Sequence, residues 1–474
     1  MKNFSPSTNH GDAIMSQSDF RDWQIECIES AIQKFQVPHS HFMCLATPGA
    51  GKTFMASMLG KYLLDNGMID YIVVFSPSTT VAIDFKETLE GTIGRKFEGK
   101  LSHAGLSVTY QSMVYQQPWF WELFEHSRAF VIFDEIHHCA GDSIQNANAW
   151  GEKIISFIQG KAQYTLALSG TPWRSNNTPI SLAAYCNESG RLFVDYQYGL
   201  NRAIKNKVCR SPHITTVDNK RIVVRNAHEV SEFGSFKELL SDSECQYSDV
   251  IYHQEIITAL LKRAISRLDK LRCTNPTAAG LIVAATIQHA RTIQFLLSEL
   301  GISAIVVTSK DTDAQQRISD FKCSQDQWII AVGMISEGTN IPRLSVCCYL
   351  SLVTTELYFR QVLGRILRRQ SKIDETGYLI MPAHPTLIKY ATRVYDEVPG
   401  EQKLHFDIVE ENVKATDVRS SSKICIEEKT NYSLILVNTI GDILFPSKQP
   451  RALEHWYNTN IDALGQYKTQ IIAL

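Results

Sequence analysis

Short apolar runs separated by amphipathic stretches set the rhythm of the chain. From about Phe20 to Gly170 the runs are Phe42 to Ala46, Tyr71 to Phe75, Ala129 to Phe133 and Tyr164 to Leu168. Apolar runs of this length between helical patterns predict buried parallel strands. A second block opens near Ala278 and repeats the pattern at Gly280 to Ala285, Ala304 to Val307, Trp328 to Val332, Val346 to Leu350 and Tyr378 to Met381. The chain therefore reads as two similar α/β units, each built on a parallel sheet.

Between the blocks the pattern lapses. Residues from about Cys186 to Asp249 mix charges, with Lys205, Lys207, Arg210, Lys220, Arg221 and Arg225 followed by an acidic stretch around Glu238 to Glu244. A solvated linker with one or two strands accounts for this composition, and a nucleic-acid contact is the competing reading. After about Pro399 the serine run Ser420 to Ser422 interrupts the chain, and two strand-like runs, Ser433 to Asn438 and Asp442 to Phe445, precede a tail expected to be helical. The expected organisation is a flexible tail over 1–17, a first unit over 18–185, a linker over 186–250, a second unit over 251–398 and a small accessory module over 399–474.

Length supports this division, because 474 residues exceed what one core usually holds. An apolar share of 44% with 20% charged residues is that of a globular chain and not a disordered one. No stretch approaches the roughly 20 apolar residues that span a bilayer, and the polar start, Met1 to Gln17, lacks the apolar segment of a signal peptide. A cytoplasmic protein without a membrane partner is expected. The 11 cysteines are scattered without paired spacing, which favours reduced core thiols over a disulfide framework or zinc. A net charge of −2 decides nothing about nucleic acid, since only a local basic groove is needed.

Two motifs carry chemistry. The first apolar run leads into Thr47-Pro48-Gly49-Ala50-Gly51-Lys52-Thr53 and then a helical pattern. In this strand, loop and helix context Gly49 and Gly51 let backbone N–H groups face phosphates, Lys52 reaches the β- and γ-phosphates, and the Thr53 hydroxyl suits Mg²⁺. Ala46 stands where the usual pattern begins with glycine. The run Ala129 to Phe133 ends in Asp134-Glu135-Ile136-His137, which puts two carboxylates at the carboxyl end of a strand. Asp134 suits a place near the metal ion, and Glu135 suits polarising a water.

Together these motifs resemble superfamily 2 helicases of the DEAD/DEAH type, and Leu168 to Arg174, Glu337 to Pro342 and Arg360 to Arg369 look closer to restriction-subunit and DNA-repair members than to the RNA-specific DEAD-box group. That resemblance implies two tandem RecA-like domains, ATP and Mg²⁺ as cofactors, and a nucleic-acid-stimulated ATPase. Leu168 to Arg174 looks like the third motif, in which Ser169 and Thr171, with His137, couple hydrolysis to movement. Ser336 to Pro342 resembles the fifth motif, with Asn340 in place of the usual aspartate and Thr339 as a phosphate contact. Gln361 to Arg369 resembles the sixth motif. If it is helical, Arg365 and Arg368 point along one face toward a γ-phosphate with Gln361 a turn earlier, and arginine suits that role through its permanent charge and bidentate geometry.

Weaker similarities complete the pattern. Arg21 to Gln24 resembles the adenine-reading element, with Gln24 as its reader, although the start of an amphipathic helix explains it equally well. Ser76 and Thr109 fall where first-domain contacts to nucleic-acid backbone occur in the family, and a loop cap is the alternative at each. Thr286, Gln288 and His289 resemble the fourth motif or cap a helix. The resemblance implies DNA as partner ahead of RNA, a helicase or translocase activity, and a possible nuclease or other subunit encoded elsewhere. An RNA-dependent remodelling ATPase and an ATP-gated binding subunit of a restriction or repair complex are the alternatives.

Overall fold

In the computed structural model of the chain, the structure describes residues 20–100, 102–171, 178–186, 192–225, 230–308, 310–333, 341–369, 376–396, 409–410, 460–463 and 467–472. They form two compact units whose main division falls between Tyr198 and Gly199.

The first unit contains β1 (Ser40–Ala46), β2 (Tyr71–Ser76), β3 (Gly105–Thr109), β4 (Ala129–Asp134), β5 (Tyr164–Ser169) and β6 (Tyr196–Tyr198), with helices α1 (Asp22–Lys34), α2 (Lys52–Asp65), α3 (Thr79–Ile93), α4 (Pro118–His126) and α5 (Ala149–Phe157). The strands form one parallel sheet in the order β3-β2-β4-β5-β1-β6. All residues of β4 and β5 are buried, as expected of central strands covered on both faces. Trp23 of α1 is fully buried and stacks on Tyr198 of β6 with ring centroids 4.8 Å apart. That stack fixes α1 at the sheet edge nearest β1. Helix α2 lies close on β2, since a Cβ on Gly60 would come within 2.8 Å of Ile72 Cδ1.

The second unit runs α6 (Leu200–Lys205), β7 (Ser211–Asn219), β8 (Ile222–Arg225), β9 (Val230–Phe233), α7 (Phe236–Asp242), α8 (Tyr247–Tyr252), α9 (Gln254–Arg272), β10 (Ala279–Ala284), α10 (Ile287–Glu299), β11 (Ala304–Thr308), α11 (Ala314–Cys323), β12 (Trp328–Val332), β13 (Leu344–Leu350), α12 (Glu356–Ile366), β14 (Thr376–Pro382), α13 (Pro385–Asp396), β15 (Val409–Glu410), β16 (Asn460–Ala463) and β17 (Tyr467–Ile472). Its large sheet has the order β11-β12-β10-β13-β14-β7-β17-β15, parallel as far as β7 and antiparallel beyond it. A three-stranded sheet, β16-β8-β9, is antiparallel. The two parallel sheets with their helices are the tandem RecA-like fold.

Two expectations are corrected. The segment 186–250 is no simple linker. It supplies β6 to the first sheet and β7 to the second, together with α6, α7, α8 and the β8–β9 hairpin. Its pattern hid β7 because Thr216 and Asn219 are fully buried polar residues within that strand, so no continuous apolar run appears. The tail is not helical where described. Its residues 460–463 and 467–472 are strands that join the second unit's sheets, in keeping with the β-branched Ile461, Thr469, Ile471 and Ile472. The runs Ser433 to Asn438 and Asp442 to Phe445 lie outside the described residues. Among the described residues no helix is long and apolar enough to cross a membrane.

Burial lowers the pKa of His41, His213 and His289 from 6.5 to about 4 in each case. The unfolded chain therefore takes up protons first as pH falls. Stability from these neutral imidazoles is complete above about pH 6.5 and is lost as pH drops toward 4. Thermal unfolding of the nucleotide-free protein is expected to shift to lower temperature between pH 7 and 5, and His289→Gln should shallow the slope. An unchanged slope in the variant would contradict a buried neutral imidazole at that position.

Candidate nucleotide site

Strands β4, β5 and β1 are neighbours in the first sheet, so their carboxyl ends bring three chain segments to one edge. At the end of β1 the loop 47–51 turns into α2. Gly49 and Gly51 have φ of 82° and 93°, a left-handed conformation that glycine adopts without penalty. The loop is drawn tight by Ala50 N donating to the Thr47 carbonyl at 3.1 Å and Met55 N donating to the Gly51 carbonyl at 3.2 Å. The first turn of α2 carries no acidic side chain, leaving its N-terminal dipole end suited to an anion.

Lys52 Nζ donates to Glu135 Oε1 at 3.0 Å and to the Ala46 carbonyl at 3.2 Å. Glu135 follows β4 directly and holds φ 51° and ψ 54°, a left-handed conformation that costs a non-glycine residue roughly 1–2 kcal/mol. Its other oxygen, Oε2, accepts from the Gly170 amide at 3.2 Å and from Ser169 Oγ at 3.3 Å. His137 Nδ1 lies 3.1 Å from Ser169 Oγ and 3.4 Å from Glu135 Oε2, while the Thr171 amide donates to Ser169 Oγ at 3.1 Å. Burial on its own would raise the Glu135 carboxyl. The Lys52 charge, with His137 and the hydrogen bonds from Lys52 and Gly170, outweighs it and holds the group well below the usual carboxylate range. Glu135 is thus an anion at neutral pH, already oriented by β5.

Asp134 is buried at the tip of β4, and its carbonyl accepts from Tyr110 Oη at 2.8 Å. Thr53, the second residue of α2, is partly exposed. A carboxylate and a hydroxyl are hard oxygen donors that fit Mg²⁺ beside a phosphate. Gln24 Nε2 donates to the Gly51 carbonyl at 3.0 Å, and its Oε1 accepts from the Arg21 amide at 3.0 Å. The expected adenine reader therefore also ties α1 to the phosphate loop. Tyr110, Ala46 and Gly170 were not singled out as site residues from the sequence. The role of Tyr110 depends on a hydrogen bond to a main-chain atom, which has no sequence signature.

The second unit places Gln361 and Arg365 on α12, both nearly buried. The helix ends at Ile366, so Arg368 is not one turn further along it, and the helical pairing of Arg365 with Arg368 is corrected. Arg368 instead forms an antiparallel bridge with Cys209. Ser76 is likewise corrected as a side-chain contact, because it is fully buried at the end of β2. Thr109 is partly exposed at the end of β3. Ser78 and Thr286 cap α3 and α10, accepting from Val81 N at 3.4 Å and His289 N at 3.1 Å. Thr339 and its loop lie outside the described residues.

The model of the type III restriction enzyme res subunit matches residues 17–174, and that of the helicase conserved C-terminal domain matches residues 262–370. The chain carries the two helicase domains of superfamily 2 in tandem. It is 30% identical to an uncharacterised protein of Mycobacterium leprae over 74% of this chain and 60% of the relative. It is 21% identical to a DNA 3'-5' translocase of Sulfurisphaera tokodaii over 76% of this chain and 81% of that protein. A fragment of an HsdR subunit of a type I restriction enzyme from Vibrio vulnificus shares the fold, with a TM-score of 0.54 at 16% identity over 80% of this chain and 67% of that one. The chain spans about three-fifths of the length of the mycobacterial relatives it matches. Helicase-type domains of this kind mark a nucleotide-hydrolysing enzyme that binds ATP.

A Cβ on Gly51 would sit 2.9 Å from Gln24 Nε2 while the backbone stays at φ 93°. Gly51→Ala is therefore expected to abolish ATP binding with only a small loss of thermal stability, since the loop is at the surface edge of the sheet. Gln24→Ala should weaken ATP by roughly 10-fold, about the value of one charge-free hydrogen bond with its lost preorganisation. Calorimetric titration with ATP checks both, and unchanged affinity in Gln24→Ala would contradict its role at the loop.

Proposed function

We propose that the chain is an ATP-dependent helicase or translocase that moves along DNA. The observation that carries this reading is the network in which one glutamate joins the phosphate-loop lysine to the third motif through Lys52, Glu135, Ser169 and His137. In the proposed cycle Lys52 exchanges Glu135 for the β- and γ-phosphates of ATP. Glu135, released from its cation, orients and deprotonates the attacking water, while Ser169 and the Gly170 amide keep its second oxygen in place. Thr53 and Asp134 would hold Mg²⁺, which supplies charge neutralisation on the phosphates when bound. Arg365 and Arg368 act as arginine fingers, and Ser169, Thr171 and His137 pass the state of the nucleotide to the chain beyond β5. Thr109 and Thr339 contact the nucleic-acid backbone.

DNA is the proposed track because the matched relatives and family models are named for a DNA translocase and for restriction enzymes. A restriction or repair complex, with a nuclease on another subunit, is the proposed setting, and the cytoplasm is the proposed location.

Steady-state ATP hydrolysis with single-stranded DNA, duplex DNA or RNA tests the proposal. Turnover is expected to rise several-fold with DNA and not with RNA. Lys52→Ala and Glu135→Gln should lower kcat by roughly 10²-fold or more while circular dichroism stays unchanged. Stimulation by RNA alone, or wild-type turnover from Glu135→Gln, would overturn the assignment.

A further inference from the structure

We propose that Arg210 is a positioning residue that fixes the exit of α12, and with it Arg365 and Arg368, to the Pro342–Leu344 backbone that leads into β13. The proposal rests on the reading of those arginines as phosphate-facing. Arg210 stands in the mixed-charge segment expected to be a solvated linker, yet it is fully buried immediately before β7. Its guanidinium donates through Nη1 to the carbonyls of Leu344 and Ile366, the latter at 2.7 Å, and through Nη2 to the Pro342 carbonyl at 2.9 Å. Its backbone N–H donates to the Leu367 carbonyl at 2.8 Å. One residue thus serves Pro342, the first residue of β13 and the last carbonyls of α12.

A buried cation survives only when hydrogen bonds replace water. Here the replacement includes the C-terminal end of a helix, where carbonyls lack intrahelical partners and carry partial negative charge. Strand β14 also comes close to the Ile366 carbonyl, since a Cβ on Gly377 would fall 2.6 Å from its oxygen. Beyond it the bridge between Cys209 and Arg368 continues the attachment to the second arginine. Three carbonyls from three segments require the planar fork of arginine, which a lysine ammonium does not reproduce.

Arg343 offers an internal comparison. It is also buried, and its guanidinium donates to the Phe321 carbonyl at 2.6 Å and 3.1 Å and packs 4.0 Å over the Phe321 ring. It holds the same stretch of backbone toward α11, not toward α12.

The test compares full-length Arg210→Met, Arg210→Lys, Arg343→Met and Arg365→Ala at a temperature where circular dichroism shows each fully folded. Three quantities are read: affinity for a fluorescent ATP analogue, kcat with saturating DNA, and hydrogen exchange at the amides of 366–369. Arg210→Met is expected to lower kcat roughly 10-fold with analogue affinity unchanged. It should also speed exchange at 366–369, with Arg210→Lys failing to rescue and Arg343→Met leaving both near wild type. Wild-type kcat and exchange in folded Arg210→Met would overturn the proposal, and so would equal losses in Arg343→Met. Full turnover in Arg365→Ala would instead sink the phosphate-facing reading, while the exchange data would still decide whether Arg210 holds the helix exit.

Discussion

The ion pair between Lys52 and Glu135 is the constraint around which the first unit's site is organised. It joins the helix after β1 to the turn after β4, and the second glutamate oxygen extends the connection to β5. Neither charge would be tolerable alone in so enclosed a place. Glu135 is well below its usual pKa because Lys52 is beside it. A triphosphate is a better partner for Lys52 than a single carboxylate, having more charge and more acceptor oxygens. Nucleotide arrival in the proposed cycle therefore changes the company of Glu135, and Ser169 and His137, which touch it, register that change.

The left-handed conformation at Glu135 belongs to the same logic. A glutamate at φ 51° is disfavoured, and its persistence between a fully buried strand and a short helical turn marks a backbone held by its surroundings. Tyr110, anchored on the Asp134 carbonyl from within the core, is part of that restraint. In the second unit the corresponding task falls to main-chain carbonyls gathered by Arg210. The two units thus hold their candidate residues differently, one through an ion pair and the other through a buried guanidinium.

Much of this was legible in the sequence where the signal is local. The apolar runs marked nine strands with ends within two residues of those observed, because parallel strands of a helix-covered sheet carry short continuous apolar runs even at the edge, as in β11. The loop 47–51 and Asp134-Glu135 stood out because their residue types come in a fixed order, and the fold brings the two segments together through Lys52 and Glu135. Strand β7 was not, since its buried Thr216 and Asn219 mimic exposure. Arg368 was misplaced because the end of α12 is set by tertiary hydrogen bonds from Arg210, and not by a glycine or proline in its own sequence. Ser76 has the residue type of a phosphate contact, but packing turned it inward.

The claim that Lys52 and Glu135 neutralise one another until nucleotide separates them is tested most directly by a double-mutant cycle on ATP binding. Wild type, Lys52→Met, Glu135→Gln and the double variant would each be titrated with a non-hydrolysable ATP analogue. The expected result is strong coupling: Glu135→Gln tightens binding when Lys52 is present, because the lysine no longer has to leave a carboxylate, and has no effect when Lys52 is absent. Additive effects of the two substitutions would contradict the central role of the pair.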